Sequence, residues 1–359
     1  MVTVFTGVLI FGNTVPFYSL YSAKQLPGAT MIAVLIIVLC LNFINAIIWS
    51  NNHIASWWNG HILCDIEVSI KQVLSTMVAS STACMTGNLA KAVDVENNPM
   101  MFESSAMRRR RIVFELIFIF GIPFIQLCTH YVVQSGRYAI VAVYGCTDVI
   151  DRSWPTLVIF IWPLVFSIIN CYYAVLVIIR LQRHRGNLST TLSSSGSSFT
   201  ARRFMKLFVL CLLFFTLQLP ATAMFFFFNL NNSLPMHSYS WSQVHDPKLW
   251  PYIMYFTSEQ VPTQQYYGWP VVIMGLTSFA FYGCNVEATE RYRLLLVKCG
   301  VGRIWPAVLA PRERRRRRGS GNESRASWTS HLDVIGKTVK YFDNKRKHSH
   351  ASTEEHENV

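Results

Sequence analysis

Residues Asn42–Lys71 read NFINAIIWSNNHIASWWNGHILCDIEVSIK. A long apolar run ends at Trp49. A short aromatic loop without acidic, Lys or Arg residues follows, then Cys64. A second apolar run opens with Asp65, Glu67 and Lys71. The pattern predicts two membrane-spanning helices joined by an outward-facing loop, with a cysteine at the top of the second helix.

The whole chain fits that beginning. Of its 359 residues, 52% are hydrophobic and only 14% are charged, yet the formal net charge is +13. A soluble domain carries about 25% charged residues. Apolar runs of about 20 residues recur, each long enough to cross a ~30 Å hydrocarbon core. The basic residues fall between and after these runs. Helical spans satisfy every backbone group internally, so a single helical membrane domain is the economical reading. No internal repeat is visible, which disfavours transporter folds built from duplicated halves.

Taken in order, the runs are Val2–Tyr21, Ala29–Trp49, Asp65–Leu89, Ile112–Val133, Pro155–Ile179, Leu207–Leu230 and Gly268–Val286. The first has no basic stretch before it and no small-residue cleavage site after it, and reads as a retained span rather than a signal peptide. Pro16, Pro123, Pro163 and Pro220 are expected to kink their helices. Pro220 has the added attraction of letting the sixth span swing.

Seven spans place the termini on opposite sides. The first, third and fifth loops carry twelve Lys and Arg, including Lys24, Lys91, Arg108, Arg109, Arg110, Arg111, Arg202, Arg203 and Lys206. The second, fourth and sixth carry three: Arg137, Arg152 and Lys248. The positive-inside bias puts the N-terminus outside. Residues 1–286 are therefore expected to form an all-α, seven-transmembrane-helix bundle. Residues 287–299 have the spacing of a juxtamembrane amphipathic helix, with Cys299 either a palmitoylation site or a free thiol. Residues 300–359 are polar, basic and aperiodic, and are expected to be a disordered cytoplasmic tail. The run Arg314–Arg318 suits anionic inner-leaflet lipid better than nucleic acid.

Candidate functional residues are few. Cys64 and Cys146 both fall on the outer side, where an oxidising compartment permits a disulfide. Their Cα atoms must then lie within ~7 Å. Glu67 and Lys71 are four apart and share a helix face. Lys71 lies about 9 Å below Asp65, a depth at which an ionisable group is a functional candidate. The alternative is an internal Glu67–Lys71 pair that snorkels to the headgroups. Asn42 and Asn45, within the second span beside Trp49, are expected to bind neighbouring helices. Glu115 suits an inner-side salt bridge. No Gly-rich phosphate loop, HExxH, GxSxG or paired catalytic carboxylate occurs, and no Cys or His spacing suits a metal, so neither an enzyme nor a cofactor is expected.

Several stretches carry a resemblance. Asn42–Trp49 followed by Cys64-Asp65-Ile66 resembles the second and third helices of the fungal mating-pheromone receptors of the a-factor-receptor type, class D G-protein-coupled receptors. His130–Cys146 (HYVVQSGRYAI…GC) is similar to that family's fourth-helix exit and loop. Trp241–His245 (WSQVH) resembles its W-x-x-V-H segment, and Glu287–Arg293 its seventh-helix exit. The resemblance implies a receptor for a farnesylated, carboxymethylated peptide pheromone in a fungus, first of all a basidiomycete. Its partners would be a heterotrimeric G protein, a kinase cascade and membrane lipids, in the plasma membrane.

Two departures stand out. Gly87 and Asn88 occupy the inner end of the third helix, where the family has a basic residue. VAVYGC lacks the acidic residue the family often places before the loop cysteine, which shifts pheromone choice to Asp148 and Asp151 or to the Asn231–Tyr267 loop. On this reading Asp65, Glu67, Lys71, Trp241 and His245 are candidate ligand contacts. Arg108–Arg111 with Arg202, Arg203 and Lys206 either face the G protein or only follow the positive-inside bias, the latter being favoured for most of them. The rival class is a transporter or channel, which would want charge near the bilayer midplane.

Overall fold

The computed structural model describes residues 2–93, 104–183, 201–232, 235–262, 264–284, 288–289 and 291–293. The apolar runs form α1 (Val2–Ser22), α2 (Leu26–Ile48), α3 (Leu63–Ala92), α4 (Ser105–Val133), α5 (Trp154–Phe160), α6 (Trp162–Arg183) and α7 (Ala201–Asn232). A one-turn α8 (Trp241–Val244) and α9 (Trp269–Ser278) follow. A π-helical turn, Phe279–Gly283, extends α9.

Local chemistry sets the boundaries. The Asp65 carboxylate accepts from the Ile62 backbone N–H at 3.2 Å, closing the first turn of α3. Ser104 caps α4 by accepting from Met107 N–H at 3.3 Å. The fifth apolar run divides at Ile161. Pro163 has no N–H to give the Ile159 carbonyl one turn back. That carbonyl instead accepts from Gln126 Nε2 of α4 at 2.7 Å. The proline break thus becomes an inter-helix tie. Pro16, Pro123 and Pro220 lie inside continuous helices.

Among the described residues, five helical segments are long and apolar enough to cross a membrane: Thr3–Ser22, Leu26–Ile48, Ser105–Val133, Trp154–Arg180 and Cys211–Phe228. Two of the seven expected spans fall short of that standard, for different reasons. The apolar helix Trp269–Gly283 is short. Helix α3 has 30 residues but is rich in hydroxyls. It packs against α2, α4, α6 and α7, so its faces meet protein rather than lipid. Thr76, Ser80, Ser81, Thr82 and Thr86 are all buried. Thr76, Thr82 and Thr86 return their hydroxyls to the carbonyl one turn back, at 3.2, 2.7 and 2.9 Å. Ser80 reaches across to the Ile119 carbonyl of α4 at 3.2 Å. A central helix can be polar because its neighbours are close enough to be its solvent.

The expectation of an all-α chain needs correction. Residues read as a loop form strands β1 (Gln134–Val141) and β2 (Gly145–Ile150), an antiparallel hairpin. A third strand, β3 (Met254–Phe256), pairs parallel with β1, giving the order β2-β1-β3. The fold is mostly helical with a small sheet at one end. The side-chain alternation in β1 lasts only from Gln134 to Tyr138, and β3 lies far along the chain, so local periodicity carried little signal.

The main apolar core joins α2, α3, α6, α7 and α9 through Met31, Ile32, Leu35, Leu74, Val177, Phe214 and Met274. A second cluster of Trp49, Val68, Tyr138 and Ile140 surrounds Cys64 and Cys146 and seats the hairpin. The hairpin turn needs glycine at Gly145, which has φ +82° and whose added Cβ would run into the Asn45 side chain. Gly145→Ala is expected to destabilise the protein by more than about 2 kcal/mol through backbone strain and overpacking. A lowered melting temperature in detergent checks this; an unchanged one would show that Asn45 yields freely.

Candidate functional site

The hairpin is fastened to α2, α3 and the loop between them by a disulfide, an ion pair and hydrogen bonds. Cys64 and Cys146 are joined by a disulfide, with Cα atoms 5.3 Å apart. Val143 N–H donates to the Trp49 carbonyl at 2.8 Å. Asn45 Nδ2 donates to the Tyr144 carbonyl at 3.1 Å. Arg137 grips Asp65 with two parallel bonds, Nε to Oδ1 at 2.8 Å and Nη2 to Oδ2 at 2.7 Å. The Tyr138 hydroxyl donates to the Asn59 carbonyl at 2.8 Å. Burial pushes the Tyr138 phenol above its ordinary range, so it stays a donor. The bond from Asp65 makes the Arg137 guanidinium harder still to deprotonate.

Beneath the hairpin lies a buried charge relay. Glu67 is fully buried, and its Oε1 accepts from Lys71 Nζ at 2.8 Å and from Asn45 Nδ2 at 2.6 Å. Lys71 Nζ also donates to the Cys146 carbonyl at 2.7 Å and sits 4.0 Å from the centre of the Tyr144 ring. The ammonium therefore ties α3 to β2 at the disulfide, while Glu67 offsets its charge.

A cavity of about 430 Å³ opens below this roof, between α2, α3, α6, α7 and the start of α9. Leu35, Val78, Phe160, Phe225, Phe228 and Met274 make most of it apolar. Its polar points include Asn42, Lys71, Gln72, Tyr144, Asp148, Gln218, Thr222 and Tyr267. A few polar groups in an apolar concavity are the usual make-up of a small-ligand site. The Asp148 carboxylate is 3.8 Å from His130 Nε2 and 3.4 Å from the Thr147 hydroxyl.

The structure separates the candidates read from the sequence. Lys71 and Asn42 line the cavity; Glu67 and Asn45 stand behind Lys71, and Asp65 is committed to Arg137 at the roof. Trp49 is buried, donating Nε1–H to the Trp58 carbonyl at 3.0 Å. Trp241 and His245 are not on the cavity wall. Their rings stack at 3.9 Å, and His245 Nε2 lies 2.9 Å from the Tyr131 carbonyl near the end of α4. Asp148 is on the wall, whereas Asp151 pairs with His237 at 3.0 Å. Pro220 sits inside α7 between the wall residues Gln218 and Ala221.

At the opposite end of the bundle, Arg108, Arg109 and Arg110 are exposed in the first turns of α4. Arg111 lies 4.0 Å from Glu115, which accepts from Asn88 Nδ2 at 2.7 Å. Asn88 thus engages α4 from the position where a basic residue was expected. Arg202, Arg203 and Lys206 begin α7, and their side chains lie outside the described residues, as do Cys299 and residues 300–359. The wall residues Gln72, Tyr144, Gln218 and Tyr267 were not singled out from the sequence. A glutamine inside an apolar span is a signal that points to Gln218. The two tyrosines have no local signal.

The sequence profile of the pheromone A receptor (STE3) family matches residues 1–300. The chain belongs to the pheromone A receptor family. It is 23% identical over 281 residues to the pheromone a factor receptor of Saccharomyces cerevisiae, covering 78% of this chain and 58% of that receptor. Against the pheromone B alpha 3 receptor of Schizophyllum commune it is 26% identical over 263 residues, with 70% and 40% covered. Against pheromone receptor 1 of Ustilago hordei it is 22% identical over 274 residues, with 72% of each covered. The chain spans about half the length of the first two of these relatives. Family membership and the five long apolar helices make this pheromone A receptor family member a membrane protein. The relatives are named as receptors, not enzymes.

Proposed function

We propose that the chain is a plasma-membrane receptor for a peptide mating pheromone bearing a farnesyl group and a carboxymethyl ester, and that it signals through a heterotrimeric G protein. The observation that carries this reading is the roofed, mostly apolar cavity of about 430 Å³ with Lys71 and Asp148 on its wall. An apolar chain suits Phe160, Phe225, Phe228 and Met274, while a peptide suits the polar roof. Lys71 and Asp148 take the direct ligand contacts. Asp65 and Glu67 hold the roof, and Trp241 and His245 flank it on the outer surface.

The N-terminus and the hairpin end face outside, following the charge bias. The seven-helix bundle then presents Arg108–Arg111, Arg202, Arg203 and Lys206 to the cytoplasm, where the G protein docks. On the same bias the segment from residue 287 on is cytoplasmic, with Cys299 a candidate for palmitoylation. Ligand must favour one helix arrangement over another for a signal to result. Pro220, beside the wall residues of α7, is the flexing point.

The test is a reporter assay in yeast lacking its own pheromone receptors, using matched farnesylated and unfarnesylated synthetic peptides. A dose-dependent response that requires the farnesyl group is expected. Silence across the panel at confirmed surface expression, persisting with a G-protein chimera, would overturn the reading.

A further inference from the structure

Two amides on the cavity wall have nothing to bond. Gln72 on α3 and Gln218 on α7 are each 6% exposed. Neither side chain makes a hydrogen bond among the described residues, and Gln72 Nε2 and Gln218 Oε1 are fully enclosed. Both residues line the cavity. Buried polar groups ordinarily find partners, so an unmet one calls for a reason.

Three other buried amides of the bundle are anchored through their nitrogens, with their oxygens left unmet. Asn13 Nδ2 donates to the Leu9 and Gly275 carbonyls at 2.8 and 3.0 Å. Gln126 and Asn45 are each held by bonds already described. Among the described residues, Asn170 on α6 is also buried with its Oδ1 unmet, but of the buried amides without a side-chain bond only Gln72 and Gln218 line the cavity. They come from different helices, and Gln218 lies two residues before Pro220. We propose that Gln72 and Gln218 form a two-point recognition pair for a neutral hydrogen-bonding group of the ligand, a backbone amide above all.

The chemistry excludes the alternatives in turn. A carboxylate would need an uncompensated positive charge, and that of Lys71 is already balanced by Glu67, which leaves the lysine a donor to neutral groups. A purely apolar group would leave both amides unmet, at a cost in affinity. A secondary amide offers one donor and one acceptor, which the pair meets when one glutamine turns its oxygen and the other its nitrogen to the ligand. A ligand amide so held links α3 to α7 beside Pro220 and fixes how far an apolar tail descends. The inference rests on the reading of the cavity as the ligand site.

The experiment uses the full-length receptor with Gln72→Met, Gln218→Met and the double variant, which keep side-chain volume. Melting of ligand-free protein in detergent is expected to be unchanged or raised, because no bond is lost. A melting temperature lowered by several degrees would overturn the proposal, since the amides would then be structural. In the reporter strain, each single variant is expected to need about tenfold more of a farnesylated peptide that activates the wild type.

An N-methyl scan of that peptide is expected to find one backbone position whose methylation hurts the wild type but not Gln218→Met. An unchanged dose response in both variants would mean that the pair binds only water, and would overturn the proposal. If no peptide activates the wild type, the receptor reading fails separately. The melting arm then decides alone whether these amides are spare or structural.

Discussion

Lys71→Met is expected to leave the Glu67 carboxylate buried without its cation and to cost about 3–5 kcal/mol. Glu67 is fully buried, and its remaining partner at Oε1 is the Asn45 amide at 2.6 Å. The carboxylate must either stay charged without compensation or take up a proton, and both lower stability. The same change removes the bond from Lys71 to the Cys146 carbonyl, so β2 loses a tether next to the disulfide. Reduced surface expression and a clearly lower melting temperature are expected. Adding Glu67→Gln to Lys71→Met is expected to restore most of the stability, because the buried charge is gone. Ligand response is expected to stay impaired in the double variant, since Lys71 also lines the cavity. A double variant no more stable than Lys71→Met would show that the pair does not act as a unit.

The second large effect is expected from the disulfide. Cys64 and Cys146 are 82 residues apart in sequence. Loop-closure entropy for such a span gives an upper estimate of about 4.5 kcal/mol, with typical losses of about 2–5 kcal/mol. Bilayer insertion already restrains the unfolded chain, which favours the lower end. The Asp65–Arg137 pair and the Val143–Trp49 and Asn45–Tyr144 bonds still hold the hairpin after the disulfide is cut. Cys146→Ser is therefore expected to keep a folded helical bundle at the surface while ligand response falls sharply. Cys64→Ser should match it, and the double variant should be no worse than either single. Thiol labelling before and after reduction reads the bond directly. A double variant much worse than the singles would mean that each cysteine matters for its packing rather than for the bond.

Several elements were legible from local pattern. The runs beginning at Val2, Ala29, Ile112, Pro155 and Leu207 became long helices because an apolar run of that length has one way to satisfy its backbone in lipid. Asp65 was placed correctly at the start of α3, although its role as the closing group of the first turn and partner of Arg137 was not. The spacing of Glu67 and Lys71 implied a shared face, and they do pair. The fifth run was read as one span kinked at Pro163; the helix does divide there, at Ile161, while the Gln126–Ile159 bond that uses the freed carbonyl was seen only in the structure.

The sheet was the main miss. Residues 134–150 alternate too briefly to declare themselves, and β3 joins β1 from more than a hundred residues away. Trp241 and His245 were grouped with Lys71 because all three were expected near one rim. The structure instead stacks them on one another near Tyr131.

By itself, the sequence determined that this chain is a set of apolar helices with its basic residues on alternate loops, and its motifs pointed to the receptor family. Both properties are local: burial of backbone polar groups in lipid sets helix length, and the count of Lys and Arg sets the sided pattern. Only the tertiary structure decided which polar residues are spent on the fold and which remain available. Glu67 is spent on Lys71 and Asn45, Asp65 on Arg137 and Ile62, while Gln72 and Gln218 face the cavity with amide atoms unmet. The physical reason is that a hydrogen bond is fixed by distance and direction over a few ångströms, and partners such as Lys71 and Cys146 are brought that close only when the helices and the hairpin have packed.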